Sequence, residues 1–241
     1  MQPTVLIPAR MESSRFPGKP LAPILGKPMI VRCAQNALEA GLPVLVCTDN
    51  TAIADVCSKN GIESIVTPVF QTGTDRVHWA WKSKNLGPCI NLQGDEPLLS
   101  SAAIKHFADT LISEPQSSNT ILNGLACLDQ AHAFDPNNVK AAMSENDKIL
   151  YLTRKPIRNS SDPESAPVYL KQIGLYGFSE SSLAEFSSLP QSRLELAESV
   201  EMLRWMESGH HLKGLLLDTI SISVDTPEDL LEVESYLSKN I

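Results

Sequence analysis

Apolar and polar positions along the chain group into blocks that predict strands and helices in turn. Residues 4–7 form a short apolar run read as a buried strand. Across 28–40, Met29, Ile30, Cys33, Ala34, Ala37 and Leu38 recur at helical spacing, and Gly41 is a stop. A strand at 44–47 runs into Thr48-Asp49-Asn50, a cap for a helix over 52–60 that Gly61 ends. Strands at 62–66 and 89–92 flank a helix through Trp79 and Trp81, with Thr74 read as its N-cap. Strands alternating with helices at this spacing predict an α/β fold with a mostly parallel, doubly wound sheet.

The pattern changes at Thr120. Residues 120–128, 139–143, 149–152 and 169–178 read as strands with little helix between them. Asp135-Pro136-Asn137-Asn138 and Glu145-Asn146-Asp147 read as turns, and 158–167 as a mobile polar loop. Helices over 179–188 and 194–207 and strands over 212–217 and 221–224 follow. A last helix is capped by Thr226, with Pro227 at its first position and Asp229 near the capping-box site. The expectation is one domain over 1–241, with 120–178 as an added β-rich subregion that forms a second lobe or a dimer surface.

Charge and composition narrow the function. A net charge of −8 and a pI near 5.1 argue against nucleic acid as the main partner. The five cysteines are odd in number, widely spaced and without a Cys-x-x-Cys, so reduced thiols and a cytoplasmic setting are expected. No apolar run approaches the ~20 residues of a membrane span, and no membrane insertion is expected.

Within this acidic chain, the loop after the first strand carries Arg10, Arg15 and Lys19. A triphosphate would explain that excess, since Arg forks and a Lys ammonium each neutralise phosphate oxygens. The alternative is a solvated loop paired with surface carboxylates. It is not a Walker A loop, because no Gly-x4-Gly-Lys-Ser/Thr is present. Asp95-Glu96 ends a buried strand, where open α/β sheets place their chemistry. Asp95 suits magnesium, whereas Glu96 precedes Pro97 and its extended backbone can point the side chain elsewhere. Both acids would also suit a helix N-terminus. Asp225 lies beside the Thr226 cap without belonging to it, free to pair with Asp95 across one ion or simply to favour the helix dipole. Arg154 and Lys155 at a strand end can meet an acidic ligand or be solvated. Glu198 and Glu201, three apart on one predicted helix, share a face. The adjacent His210 and His211 point apart and predict no metal site.

Together these motifs resemble the CMP-Kdo synthetases (3-deoxy-manno-octulosonate cytidylyltransferases). The resemblance rests on Ile7-Pro8-Ala9-Arg10, Ser13-Ser14-Arg15-Phe16-Pro17-Gly18-Lys19-Pro20-Leu21 and Gly26-Lys27-Pro28-Met29-Ile30. It continues through Thr72-Gly73-Thr74-Asp75-Arg76, Asn91-Leu92-Gln93-Gly94-Asp95-Glu96-Pro97, Gly174-Leu175-Tyr176-Gly177 and Val224-Asp225-Thr226-Pro227-Glu228-Asp229. It implies a Rossmann-like nucleotidyltransferase, a homodimer formed through the middle section, and transfer of CMP from CTP to Kdo with release of pyrophosphate. It implies Arg10, Lys19, Asp95 and Asp225 as catalytic residues, with Asp95 and Asp225 holding Mg2+. Ala9, Arg10, Ser13, Arg15, Lys19, Thr74 and Arg76 would bind the nucleotide. Gln93, Arg154, Gln172, Tyr176, Glu198 and Glu201 would surround the acidic 3-deoxy sugar. Two departures lie in the sugar half. Where the family reads His-Leu-Gly-Ile-Tyr, this chain has Gln172-Ile173-Gly174-Leu175-Tyr176. Where it reads Leu-Glu-Gln-Leu-Arg, this chain has Val200-Glu201-Met202-Leu203-Arg204. These leave Kdo, an 8-amino analogue or another acidic ulosonate open as acceptor, along with a nucleotide-binding relative whose sugar site has decayed.

Overall fold

The computed structural model describes residues 2–13, 15–115, 119–157 and 169–240. Three parallel strands of the main sheet, β1 (Thr4–Ala9), β4 (Val44–Thr48) and β5 (Ser64–Val66), come first with helices α1 (Met29–Glu39) and α2 (Thr51–Lys59), and a separate antiparallel hairpin of β2 (Pro23–Ile24) and β3 (Lys27–Pro28) lies between β1 and α1. Then come α3 (Gly73–Lys84), β6 (Cys89–Leu92) and α4 (Ser101–Ser113). The second half contains β7 (Thr120–Leu128), α5 (Gln130–Ala133), β8 (Lys140–Met143), β9 (Ile149–Thr153) and β10 (Tyr169–Phe178). It closes with α6 (Glu180–Ser188), α7 (Arg193–Glu198), α8 (Met202–Glu207), β11 (His211–Leu216) and α9 (Pro227–Lys239).

The main sheet runs β11-β7-β10-β6-β1-β4-β5, with β8 and β9 attached through β10. β1 pairs in parallel with β4 and β6, while β10 is antiparallel to both β6 and β7. β10 is the hinge of the architecture. Its end near Phe178 pairs with β6, its start near Leu170 pairs with β8, and a register shift separates Gln172 from Tyr176. The added β-rich section is therefore a continuation of the sheet.

Apolar side chains alternate on β1: Val5 and Ile7 enter a core with α1, α2 and α4, while Leu6 enters a core with α3, α6 and α8. A strand buried on both faces reads as a continuous apolar run. A third cluster joins Ile24, Met29, Cys33, Val224 and Val233. It packs α9 against the β2–β3 hairpin and so fixes Asp225 beside the basic loop.

Four sequence expectations need correction. Thr72, not Thr74, caps α3, accepting from Asp75 N at 3.1 Å. The segment 194–207 is two helices, broken at Ser199 by a left-handed backbone (φ 53°). Glu198 and Glu201 therefore share no helical face. Residues 221–224 join no strand ladder. Asp95 and Glu96 sit in a turn well before α4 starts, so they serve no helix dipole. The pattern reading does not include α4, although Ser100 caps it and Ile104, Phe107, Ala108 and Leu111 form its buried stripe. The polar loop at 158–167 lies outside the described residues.

Candidate active site

The basic loop leaves β1 at Ala9 and returns through a turn in which Gly18 adopts φ +76°. That backbone conformation favours glycine. Gly18 N donates to Met11 O at 3.0 Å and Lys19 N to Phe16 O at 3.2 Å, closing the loop on itself. Lys19 then opens a short 3-10 helix with its side chain turned inward.

The Lys19 ammonium donates to Asp95 Oδ2 at 2.7 Å, to Val224 O at 2.9 Å and to Asp225 Oδ1 at 3.3 Å. Residues 76 and 206 positions away thus meet on one cation. Burial alone would lower the Lys19 pKa, but the charges of Asp95 and then Asp225 outweigh it and hold the group above its ordinary value. Arg15 adds a second cation, 3.0 Å from Asp225 Oδ1, and its other arm donates to Asn137 Oδ1 at 3.1 Å. Arg10 is exposed at the rim. These groups bound a cleft of about 270 Å³ that also carries Ala9, Ser13 and Arg76. Thr74 is fully buried and does not line the cleft; its hydroxyl donates to Glu201, which does. Arg76 is buried and already committed, with donors 2.5 Å from Asp49 Oδ2 and 2.5 Å from Thr67 Oγ1.

A second cavity, of about 190 Å³, contains Gln93, Arg154, Gln172, Tyr176 and Glu201. The two cavities share one wall: Gln93, Asp95, Glu201 and Asp225 line both. A polar chain supports that wall from below, as Gln93 Nε2 donates to Asn91 Oδ1 at 3.0 Å and Asn91 Nδ2 to Thr74 Oγ1 at 3.2 Å. Gln172 donates to Asn123 Oδ1 at 2.7 Å, within the bulge of β10.

Other positions differ from the expectations. Arg154 lines the second cavity, yet its guanidinium donates to the carbonyls of Glu198, Pro136, Asn137 and Ser199. It acts there as a clamp on the cavity wall. Glu198 lines neither cavity; it accepts from Thr153 Oγ1 at 3.0 Å and Arg154 N at 2.9 Å, fixing the end of β9. Met202 is buried in the core, so its departure from the family pattern removes nothing from the site. Asn137 and Lys171, which sequence reasoning missed as site residues, line the second cavity. The Asp-Pro-Asn-Asn turn signals the loop that carries Asn137; Lys171, on a strand, carries no local signal.

Glu201 has the most perturbed environment of the wall. Burial pushes its carboxyl pKa up, and the Thr74 hydrogen bond opposes this only in part. A carboxyl raised in the folded state contributes stability below its ordinary value near 4.5, lost as pH rises through the raised one. Glu201→Gln cannot ionise. Its melting temperature is expected to exceed that of the natural protein at neutral pH and to converge with it below pH 4.5, as thermal melts across pH will show.

No group of three or more His, Cys, Asp or Glu that could hold a metal occurs among the described residues, and among them no helix is long and apolar enough to cross a membrane. Asp95 and Asp225 nonetheless form a pair of hard oxygen donors already gathered around a cation, the Lys19 ammonium. Magnesium commonly takes one or two carboxylates and completes its shell with phosphates and water. The pair fits that use.

A family profile described as Cytidylyltransferase matches residues 4–215. An 8-amino-3,8-dideoxy-manno-octulosonate cytidylyltransferase of Shewanella baltica (strain OS155 / ATCC BAA-1091) is 38% identical, over 99% of each chain. A 3-deoxy-manno-octulosonate cytidylyltransferase of Wolinella succinogenes is also 38% identical, over 94% of this chain and 96% of its own. A solved structure of CMP:2-keto-3-deoxy-manno-octonic acid synthetase complexed with CTP superposes with a TM-score of 0.90 at 32% identity, covering 100% of both chains. The mixed, largely parallel sheet, the basic loop and the full-length similarity lead to one conclusion: this chain belongs to the cytidylyltransferase family.

Proposed function

We propose that the protein transfers CMP from CTP to the anomeric hydroxyl of an acidic 3-deoxy-octulosonate and releases pyrophosphate. The observation that carries this reading is the shared wall. The two cavities meet at Gln93, Asp95, Glu201 and Asp225, so a nucleotide in the first and an acceptor in the second would bring the α-phosphate and the attacking hydroxyl together. The reaction is an in-line displacement and needs no nucleophilic side chain.

Arg10, Arg15 and Lys19 receive the triphosphate. Lys19 and Arg15 exchange their carboxylate partners for phosphate oxygens and stabilise the departing pyrophosphate with preorganised charge. Asp95 and Asp225, freed of those cations, would hold magnesium, which would supply Lewis-acid chemistry at the reacting phosphate. Gln93, Tyr176 and Glu201 present polar groups to the sugar. Burial, and next the charge of Glu201, push the Tyr176 hydroxyl's pKa up, so it serves as a neutral donor. Lys171 Nζ, 3.0 Å from Ser221 O, supplies the cavity with an ammonium for the acceptor carboxylate.

Kdo and its 8-amino analogue both suit this reading, the second because the Shewanella relative matches nearly the whole chain. A panel of Kdo, 8-amino-Kdo and neuraminate with CTP, UTP or dTTP, followed by pyrophosphate release, separates them. Release is expected with CTP and one of the two octulosonates; release with none of the acceptors would favour the decayed-site reading. We extend the proposal to a homodimer through the 120–178 section. Leu150 and Tyr151 are exposed on β9, which pairs with β8 alone among the described strands. Sedimentation velocity is expected to give a dimer, and a monomer would contradict it. Buried free thiols at Cys33, Cys47, Cys57 and Cys89 support a cytoplasmic setting.

A further inference from the structure

Glu96 stands next to Asp95, yet the reaction described above does not use it. It is 2% exposed, and every oxygen of its carboxyl group is occupied. Oε1 accepts from Gly174 N at 3.0 Å and from Ser223 Oγ at 2.7 Å; Oε2 accepts from Ser221 Oγ at 2.9 Å. Burying a carboxylate is costly unless its lone pairs are satisfied. Here all three donors come from segments other than its own.

The segment between β11 and α9 carries Asp225 and has no strand ladder to hold it. Ser221 and Ser223 are two apart, and both hydroxyls turn to the same side. That side is Glu96. One further bond, Val224 N to Asp95 O at 2.9 Å, ties the same segment to the turn of Asp95. Glu96 is therefore the point where three pieces of the site meet: the turn after β6, the bulge of β10 and the strap that ends at Asp225.

We propose that Glu96 is a positioning residue that holds Asp225 against Asp95, so that the two carboxylates remain at the spacing one divalent ion requires. The proposal rests on the reading of Asp95 and Asp225 as the metal-holding pair. Glu96 borders the acceptor cavity, but its carboxyl oxygens are taken up by protein donors. Partners that orient ligating carboxylates commonly change metal affinity when removed.

The test is calorimetric, without acceptor: CTP affinity in saturating magnesium and in chelator. In the natural protein magnesium is expected to raise CTP affinity. Glu96→Gln replaces one acceptor oxygen by an amide that faces donors. Ser221→Ala with Ser223→Ala removes two donors and leaves Glu96 in place. Each variant is expected to reduce the magnesium-dependent gain by about tenfold, with affinity in chelator unchanged. All three changes together are expected to do no more than either alone, since they cut one linkage. A normal magnesium gain in the folded serine variant or in folded Glu96→Gln overturns the proposal, even if the melting temperature falls. If Glu96→Gln does not fold, the serine variant decides. Asp225→Asn separates the two claims. Loss of the gain there, with a normal gain in the clamp variants, refutes the positioning role alone. A normal gain in Asp225→Asn refutes the metal-pair reading and the positioning role with it.

Discussion

Lys19→Met is expected to lower CMP transfer by about 10³-fold, the scale of losing one preorganised charge at a developing anion. On the proposed reading the ammonium would face the leaving pyrophosphate, and no neighbour would replace it. Arg15 is half exposed and already shared between Asp225 and Asn137. The same substitution leaves Asp95 and Asp225 facing each other without the lysine. Their side chains are 27% and 22% exposed, so water screens part of the repulsion, and the stability cost is expected at about 1–2 kcal/mol. Magnesium is expected to restore much of that stability without restoring the rate. The alkaline limb carries a further signature. Because the Lys19 pKa is raised in the folded protein, its contribution is complete below the ordinary lysine value of 10.5 and is lost as pH rises through the raised one. The natural protein loses that increment in strong base, whereas the methionine variant has none to lose. Steady-state rates and pH-dependent melts of both proteins check the two parts separately.

Gly174→Ala is expected to raise the acceptor KM by about tenfold or more while CTP affinity in chelator stays within about twofold. A Cβ at this position would lie 2.8 Å from Gln93 Cβ and 2.9 Å from its Cγ, with Glu96 Cγ at 3.3 Å. The first two atoms sit next to the backbone, so rotation of a flexible tip cannot relieve the contact. Either β10 or the turn after β6 must shift. Overpacking of this kind costs about 1–3 kcal/mol. The shift also moves Gln93, which lines both cavities, and breaks the alignment of Gly174 N with Glu96. The nucleotide loop makes none of these contacts and is expected to keep its affinity. Acceptor and CTP titrations of the folded variant check the prediction; equal losses for both substrates would contradict it.

The parallel half of the fold is legible because its strands are short apolar runs and its helices have clear stops. Gly41 and Gly61 both fall at positive φ, at 75° and 68°, where the pattern ends the first two helices. The capping box at Thr226 and Asp229 is equally plain. The basic loop and Asp95 stand out as charges at strand ends and Asp225 as an acid beside a helix cap, and the structure brings them together. What stays hidden depends on partners far away in sequence. Residues 194–207 carry a helical pattern throughout, and only packing breaks them at Ser199. That break turns Glu198 toward β9 and leaves Glu201 at the cleft. Residues 221–224 alternate as a strand does, but their alternation serves a buried carboxylate in place of a neighbouring strand. Arg76 and Arg154 read as cations ready for a ligand, and each is occupied by protein oxygens that no local spacing reveals. Thr74 lies on a motif shared with nucleotide-binding relatives, yet acts one layer below the cleft.

The central claim is that Asp95, Asp225 and the Arg10–Lys19 loop serve one triphosphate and one divalent ion. Crystals grown with CTP and manganese test it directly through the anomalous signal of the metal. The account predicts a single manganese site bridging both aspartates and the α-phosphate, with Lys19 withdrawn from the carboxylates onto the phosphate tail. Manganese bound to only one of the aspartates, or CTP seated with Lys19 still joining Asp95 to Asp225, would contradict it.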